Sequence, residues 1–143
     1  MAHINWKRVI VGGLAAGFLY DLFEILLSPL FVGRQYEAEL NAIRHTPPSA
    51  AGYAFFIGWG FVIGLVALFF YAAVRPRFGP GPRTAACVAF GLWLVADLMP
   101  QMGQAVMGIF TFPLMIKFTL QQFFFMLATT IVGAWVYREQ DAL

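Results

Sequence analysis

Residues 50–74 pass without one charged or amide side chain. At about 1.5 Å of rise per residue, a helix of that length crosses a hydrocarbon layer roughly 30 Å thick. Composition points the same way: of 143 residues, 61% are hydrophobic and 11% are charged, whereas a soluble domain is about one quarter charged. The chain is expected to be all-α, an integral membrane bundle.

Three further segments have spanning length. Residues 9–32 carry Asp21 and Glu24, residues 84–110 carry Asp97, Pro100, Gln101 and Gln104, and residues 114–137 carry Lys117, Gln121 and Gln122. Pro113 precedes the last, where a first helical turn has no use for the missing N–H. Four spans in a single domain follow, with a loop at 33–49 and a basic turn at 75–83. Lys7 and Arg8 ahead of an apolar stretch resemble the start of a secretory signal. That stretch runs past Ala16 into Asp21 and Glu24 without a small-residue cleavage site, so it reads as the first span.

Lys7, Arg8, Arg75, Arg77, Arg83 and Arg138 fall on one side of a four-span chain. Arg34 and Arg44 fall on the other, with Lys117 near that boundary. The excess of positive charge makes the first side, with both termini, cytoplasmic. Trp6, Tyr71, Trp135 and Tyr137 lie near the same side, as an interfacial aromatic belt would. In the turn Arg75-Pro-Arg-Phe-Gly-Pro-Gly-Pro-Arg83, each proline fixes its own φ, removes a donor and disfavours a helical residue before it. It is expected to be a stiff non-helical turn, primarily a topology signal, whose arginines are also candidates for contact with anionic lipid.

In the 33–49 loop, Tyr36, Leu40 and Ile43 recur at helical spacing with Glu37, Glu39 and Arg44 between them. A short helix in the interface is expected, as a surface connector or as a lid over the bundle's mouth. Gly13 with Gly17, and Gly60 with Gly64, have the small-xxx-small spacing that lets helices approach closely in lipid. They serve packing within the bundle or a dimer face.

Charged groups near the centre of a bilayer cost about 2.5–3.5 kcal/mol on insertion scales, so they face the bundle interior and pair or mark function. Asp21 and Glu24 are three residues apart on one helix, Asp97, Gln101 and Gln104 form an i, i+4, i+7 stripe, and Lys117 and Gln121 share a face. Gln122 is expected to point elsewhere. All seven, Asp21, Glu24, Asp97, Gln101, Gln104, Lys117 and Gln121, sit at compatible heights for one polar pocket in the half remote from the termini. Span two is expected to be an apolar wall beside it. Three carboxyls against one lysine do not balance. Either some carboxyls hold protons, or the pocket is wet, or it receives a cation; the plainer alternative is a ring of hydrogen bonds with an Asp97–Lys117 ion pair. A shared Asp-Leu pair in Gly17-Phe-Leu-Tyr-Asp-Leu22 and Trp93-Leu-Val-Ala-Asp-Leu98 hints at duplicated hairpins.

The start Asn5-Trp-Lys-Arg-Val-Ile-Val-Gly-Gly13 and the stretch Tyr71-Ala-Ala-Val-Arg-Pro-Arg-Phe-Gly-Pro-Gly-Pro-Arg-Thr-Ala85 resemble those of small uncharacterised bacterial four-helix membrane proteins. The resemblance covers about a quarter of the chain and implies a bacterial inner-membrane location, with no reaction attached.

No catalytic motif is present. His3 and His45 lie outside the spans, so no span offers an imidazole to a haem or metal. Cys87 is the only cysteine, and neither a P-loop nor a G-x-S-x-G elbow occurs. No cofactor, metal or nucleic-acid partner is expected. The expected partners are membrane lipids, a second copy or a larger membrane complex. Two function classes remain: a binding or interaction bundle with a polar pocket, and a small proton- or cation-coupled transporter working as an oligomer.

Overall fold

The computed structural model describes residues 4–44 and 46–137. Its elements are α1 (Trp6–Leu26), a π-helical turn at Pro29–Gly33, α2 (Arg34–Ile43), α3 (Ala50–Phe78), α4 (Pro82–Trp93), a second π-helical turn at Leu94–Leu98, α5 (Met99–Val106) and α6 (Phe112–Val136). Joined through their π turns, these make four helical rods, each long and apolar enough to span a membrane: Trp6–Ile43, Ala50–Phe78, Pro82–Val106 and Phe112–Val136.

The starts of α1 and α4 and the ends of α3 and α6 lie at one end of the bundle, the terminal end. The opposite end carries α2 and the connections to α3 and α6, and is the loop end. Asn5 opens α1 by accepting the Arg8 N–H on Oδ1 (3.2 Å), and Ser49 opens α3 by accepting the Gly52 N–H on Oγ (3.1 Å).

Both π turns stand beside a proline, and the chemistry of proline accounts for them. Pro29 opens the first, and Pro100 follows the second by two residues. A proline can neither donate to the carbonyl four residues back nor avoid its ring meeting that carbonyl. A widened turn absorbs the mismatch without ending the helix. The short helix expected within the 33–49 loop is α2, but it continues the first rod through the π turn, so the true connection to α3 shrinks to the few residues between Ile43 and Ala50.

The basic turn also differs from expectation. Helix α3 runs through Arg75, Pro76 and Arg77 to Phe78, so these are not in a non-helical turn. Pro76 lies in the last turns of α3, where the carbonyl it strands is near the membrane surface and easily satisfied. The reversal itself is confined to Gly79–Gly81, made possible by two glycines at φ of 81° and 125°. Thr84 closes it by donating to the Gly79 carbonyl (2.8 Å), and Tyr71 Oη accepts the Gly81 N–H (3.1 Å).

Burial is inverted relative to a water-soluble protein. Much of the core is alanine and glycine, with Asp21, Asp97, Thr119, Gln121 and Gln122 buried among it. Large apolar side chains face outward, among them Phe18, Phe55, Phe56, Ile25 and Trp135. Lipid makes this arrangement stable, because apolar side chains lose nothing by facing acyl chains whereas polar groups must find partners inside. The chain is thus an all-α bundle whose four rods are each long and apolar enough to span a membrane.

The closest helix pair is α1 with α3. A Cβ on Gly13 would stand 2.7 Å from Leu65 Cα, one on Gly17 would stand 2.6 Å from Phe61 Cα, and one on Gly64 would collide with the backbone of Gly13 and Gly17. The small-residue spacing therefore serves packing within the bundle. On its other side α1 meets α6 in the same manner, where a Cβ on Gly12 would lie 2.8 Å from the Gly133 carbonyl oxygen. Helix α6 is central, packing on α1, α3, α4 and α5.

Two apolar clusters result. One, in the terminal half, gathers Val9, Ala16, Leu68, Tyr71, Ala85, Val88 and Tyr137. The other, in the loop half, gathers Val32, Ala105, Phe110, Leu114 and Met115, with Tyr36, Leu40 and Phe118 against it. A polar layer lies between them.

Candidate functional site

The first rod supplies one side of the polar layer. Tyr20, Glu24 and Ser28 follow at successive four-residue steps, so all three look toward α6. Tyr20 Oη donates to Gln122 Oε1 (2.7 Å), Gln122 Nε2 donates to Glu24, and Gln121 Nε2 donates to Ser28 Oγ (2.8 Å). The Ser28 hydroxyl also lies beside the Glu24 carboxyl, which completes a hydrogen-bonded chain from Gln121 to Tyr20.

Asp97 enters from the π turn of the third rod. Its Oδ2 accepts the Thr119 hydroxyl (2.6 Å), and the backbone carbonyl of Thr119 accepts Trp93 Nε1–H (2.7 Å). Gln101 stands beside the same carboxyl and accepts Gln104 Nε2–H on Oε1 (2.9 Å). The expected stripe of Asp97, Gln101 and Gln104 is thus one connected group, despite the π turn at its start.

Asp21 faces α3, away from the Glu24 chain. Its carboxyl rests on Gly60, where a Cβ would collide with it. The residue is 9% exposed, and its buried Oδ2 has no hydrogen-bond partner among the described residues. Gln121 Oε1 is likewise buried and without a partner. Unsatisfied buried acceptors of this kind are uncommon and costly, each worth about 1–3 kcal/mol.

Two expectations need correction. Lys117 does not join the layer or pair with Asp97: it is exposed and donates to Gln35 Oε1 (3.3 Å). Its position near the start of α6 puts it level with α2, and its long side chain stays with the polar surface there. Gln122, expected to point elsewhere, holds Glu24 and Tyr20 together. A central helix has inward-looking residues on more than one face, which a single stripe cannot represent. Span two presents an apolar face as expected, and Gly60 in it supplies the space occupied by the Asp21 carboxyl.

Tyr20, Ser28, Trp93 and Thr119 were not assigned to the layer from the sequence. The 20, 24, 28 spacing was a usable signal for two of them. Thr119 carried none, because a threonine in an apolar helix has many uses, and Gly60, singled out for close helix packing, also seats the Asp21 carboxyl.

With Lys117 outside, Asp21, Glu24 and Asp97 form no ion pair with any described Lys or Arg. They are mutually close enough to interact electrostatically. Among the described residues, no three His, Cys, Asp or Glu side chains converge as the donor set of a metal ion. The layer offers acceptor oxygens and amides, suited to binding protons or hydrogen-bond donors.

At the loop end α2 is latched onto the start of α6. Glu39 accepts the Thr111 N–H (2.8 Å) and hydroxyl (2.6 Å), and Gln35 Nε2 donates to Glu39 (3.0 Å). Tyr36 stacks on Phe110 and Phe118, with centroids 5.5 and 5.7 Å away. An open cavity of about 500 Å³ lies between α2 and the 105–113 segment, lined by Glu39, Ile43, Ile109 and Phe112 among others. It does not include Asp21, Glu24 or Asp97.

The basic residues gather at the terminal end. Lys7, Arg8, Arg77 and Arg83 are exposed, while Arg75 is half-buried with its guanidinium 5.7 Å from the Tyr137 ring centroid. Arg138, His3 and His45 lie outside the described residues. No protein-family model, curated protein or solved structure matches the chain.

Proposed function

We propose that this four-span bundle is a binding protein that holds a small amphiphile at its polar layer, with Asp21, Glu24 and Asp97 as the anchoring acids. The observation that carries the reading is the imbalance of that layer: three carboxyls, no base among the described residues to neutralise them, and a buried Asp21 oxygen without a described partner. A purely structural layer would end with its acceptors matched, because unmatched ones oppose folding.

Glu24 with Gln121 and Gln122, and Asp97 with Gln101 and Gln104, supply complementary acceptors and donors on opposite sides of α6. In this reading both termini face the cytoplasm from a bacterial inner membrane, and Lys7, Arg8, Arg75, Arg77 and Arg83 meet anionic headgroups, a side to which the sequence also assigns Arg138. The polar layer then lies toward the outer leaflet. A periplasmic reporter fused after Arg138 is expected to stay inactive, and an active one overturns this orientation.

Native mass spectrometry of protein extracted gently from its own membrane tests the binding reading. A reproducible added mass, lost in Asp97→Asn or Glu24→Gln while the protein stays monodisperse, is the expected result. A bare chain in every preparation counts against it. A stoichiometric foreign chain instead makes this a subunit of a membrane complex. A second reading, a proton- or cation-coupled transporter working as an oligomer, is favoured by the π turn that carries Asp97, since such turns often mark functional sites. Uptake into proteoliposomes that depends on a pH gradient and is lost in Asp97→Asn would select it.

A further inference from the structure

Helices α1 and α3 touch along one line, in which Gly13, Gly17 and Asp21 meet Leu65, Gly64, Phe61 and Gly60. One turn beyond Asp21 the contact ends. On α1, Leu22, Ile25 and Leu26 are exposed, and on α3 every residue from 50 to 59 is exposed except half-buried Gly52. The first rod continues past its π turn to pack on α6 and the loop before it, through Tyr36, Phe110 and Phe118. The start of α3 does not follow. The two rods therefore fork at Asp21 and Gly60, and the gap opens sideways toward lipid.

The sides of this fork are apolar, with Ile25 on α1, Phe56 and Ile57 on α3, and Trp59 flanking them, all exposed. Its foot is an acid. Asp21 keeps an oxygen with no partner among the described residues, the Glu24 and Asp97 carboxyls stand behind it, and no described Lys or Arg balances them. Gly60, without a side chain, leaves the space that the Asp21 carboxyl occupies at the foot of the fork.

We propose that this fork is a lateral groove for a cationic amphiphile, an alkyl or aryl tail bearing a protonated amine, with the ammonium at Asp21 and the tail between α1 and the start of α3. The assignment rests on the binding function proposed above and names its ligand class. Charge selects the ligand: an ammonium donates to the free acceptor and offsets the acidic layer, an anionic headgroup meets three like charges, and a neutral one leaves them unbalanced. Aromatic faces on the walls add affinity for a cation. A bare metal ion fits poorly, since the donors do not converge around one point.

The test uses the full chain in lipid nanodiscs with a photoactivatable long-chain primary alkylamine and the matching alcohol, and labelled peptides are mapped. The amine is expected to label residues 53–59 and 22–30 saturably, and the alcohol about tenfold less, as loss of one charge-assisted contact implies. Asp21→Asn should reduce labelling by a similar factor. The paired wall change Phe56→Ala with Trp59→Ala, on exposed residues, should weaken it severalfold with Asp21 intact, and decides the matter if Asp21→Asn does not fold. Equal labelling by amine and alcohol, labelling spread around the whole bundle, or cross-linked dimers through residues 53–59 would overturn the groove. Saturable amine labelling near Glu24 and Asp97 but not in the fork removes the groove and keeps the binding function. A co-purified mass sensitive to Glu24→Gln with no amine labelling removes the ligand class alone, and the absence of both removes groove and function together.

Discussion

In the terminal half, Gly13 and Gly17 bring the backbone of α1 against Gly64 and Leu65 of α3, and Gly12 brings it against Gly133 of α6. In the loop half, the same α3 stands exposed from residue 53 to residue 59, and the first rod is held instead by aromatic stacking and by the Glu39 latch. One half is closed by backbone contact between small residues and the other by side chains reaching across gaps. Small residues lose little conformational entropy and leave no void, so the first arrangement is rigid and intolerant of bulk. The second leaves space, and the polar layer sits at the transition between them.

The largest effect should follow from forcing that first contact apart. Gly64→Val puts bulk onto the backbone of Gly13 and Gly17 and should cost at least about 3 kcal/mol, the upper end of overpacking penalties. Reversible unfolding in mixed micelles, or loss of monodisperse protein, reads it. Survival of Gly64→Val would mean that the terminal half is not closed by backbone contact.

Gly60→Ala probes the transition. Its methyl group displaces the Asp21 carboxyl, and a loss of about 1–2 kcal/mol is expected, together with weakened ligand retention in native mass spectra. Thr119→Val removes the hydroxyl that Asp97 accepts and leaves a buried acceptor short of a donor, for a cost of about 1–2 kcal/mol. An unchanged midpoint in the same unfolding assay would show that Asp97 is already satisfied by Gln101.

At the loop end the effects should be small. Lys117→Met is expected to change stability by less than about 0.5 kcal/mol, the scale of an exposed polar contact. Combined with Asp97→Asn it should be additive, since the two side chains do not meet; a coupling above about 1 kcal/mol would restore the ion pair. Smallest of all, Gly58→Ala should be neutral within about 0.5 kcal/mol, because a Cβ there has nothing within 4 Å. A marked loss in this variant would mean that the start of α3 is covered by another molecule.

Much of the frame was legible beforehand. Unbroken apolar length is a local property, and the bilayer converts it directly into span number, so four rods followed from 50–74 and its three counterparts. The glycine pairs were legible because close approach in lipid demands small residues at a fixed spacing. A proline misled at one helix end. Pro76 is a breaker by local rule, yet a helix end near the surface tolerates it, and a π turn lets the first rod run on past Pro29 beyond the expected span.

The polar layer was half legible. That Asp21, Glu24, Asp97, Gln101, Gln104 and Gln121 must turn inward follows from the cost of polar groups in hydrocarbon, which any sequence reveals. Which of them meet does not follow from that cost. It depends on the rotation of each helix about its axis and on which helix is central, and those are settled by glycine contacts summed over the whole bundle. Tertiary packing therefore decided that Gln122 faces Glu24 and Tyr20, that Lys117 turns away to Gln35, and that Asp21 lies on Gly60 where two rods part. The sequence by itself determined that the chain spans a membrane and buries acids; only packing decided what those acids face.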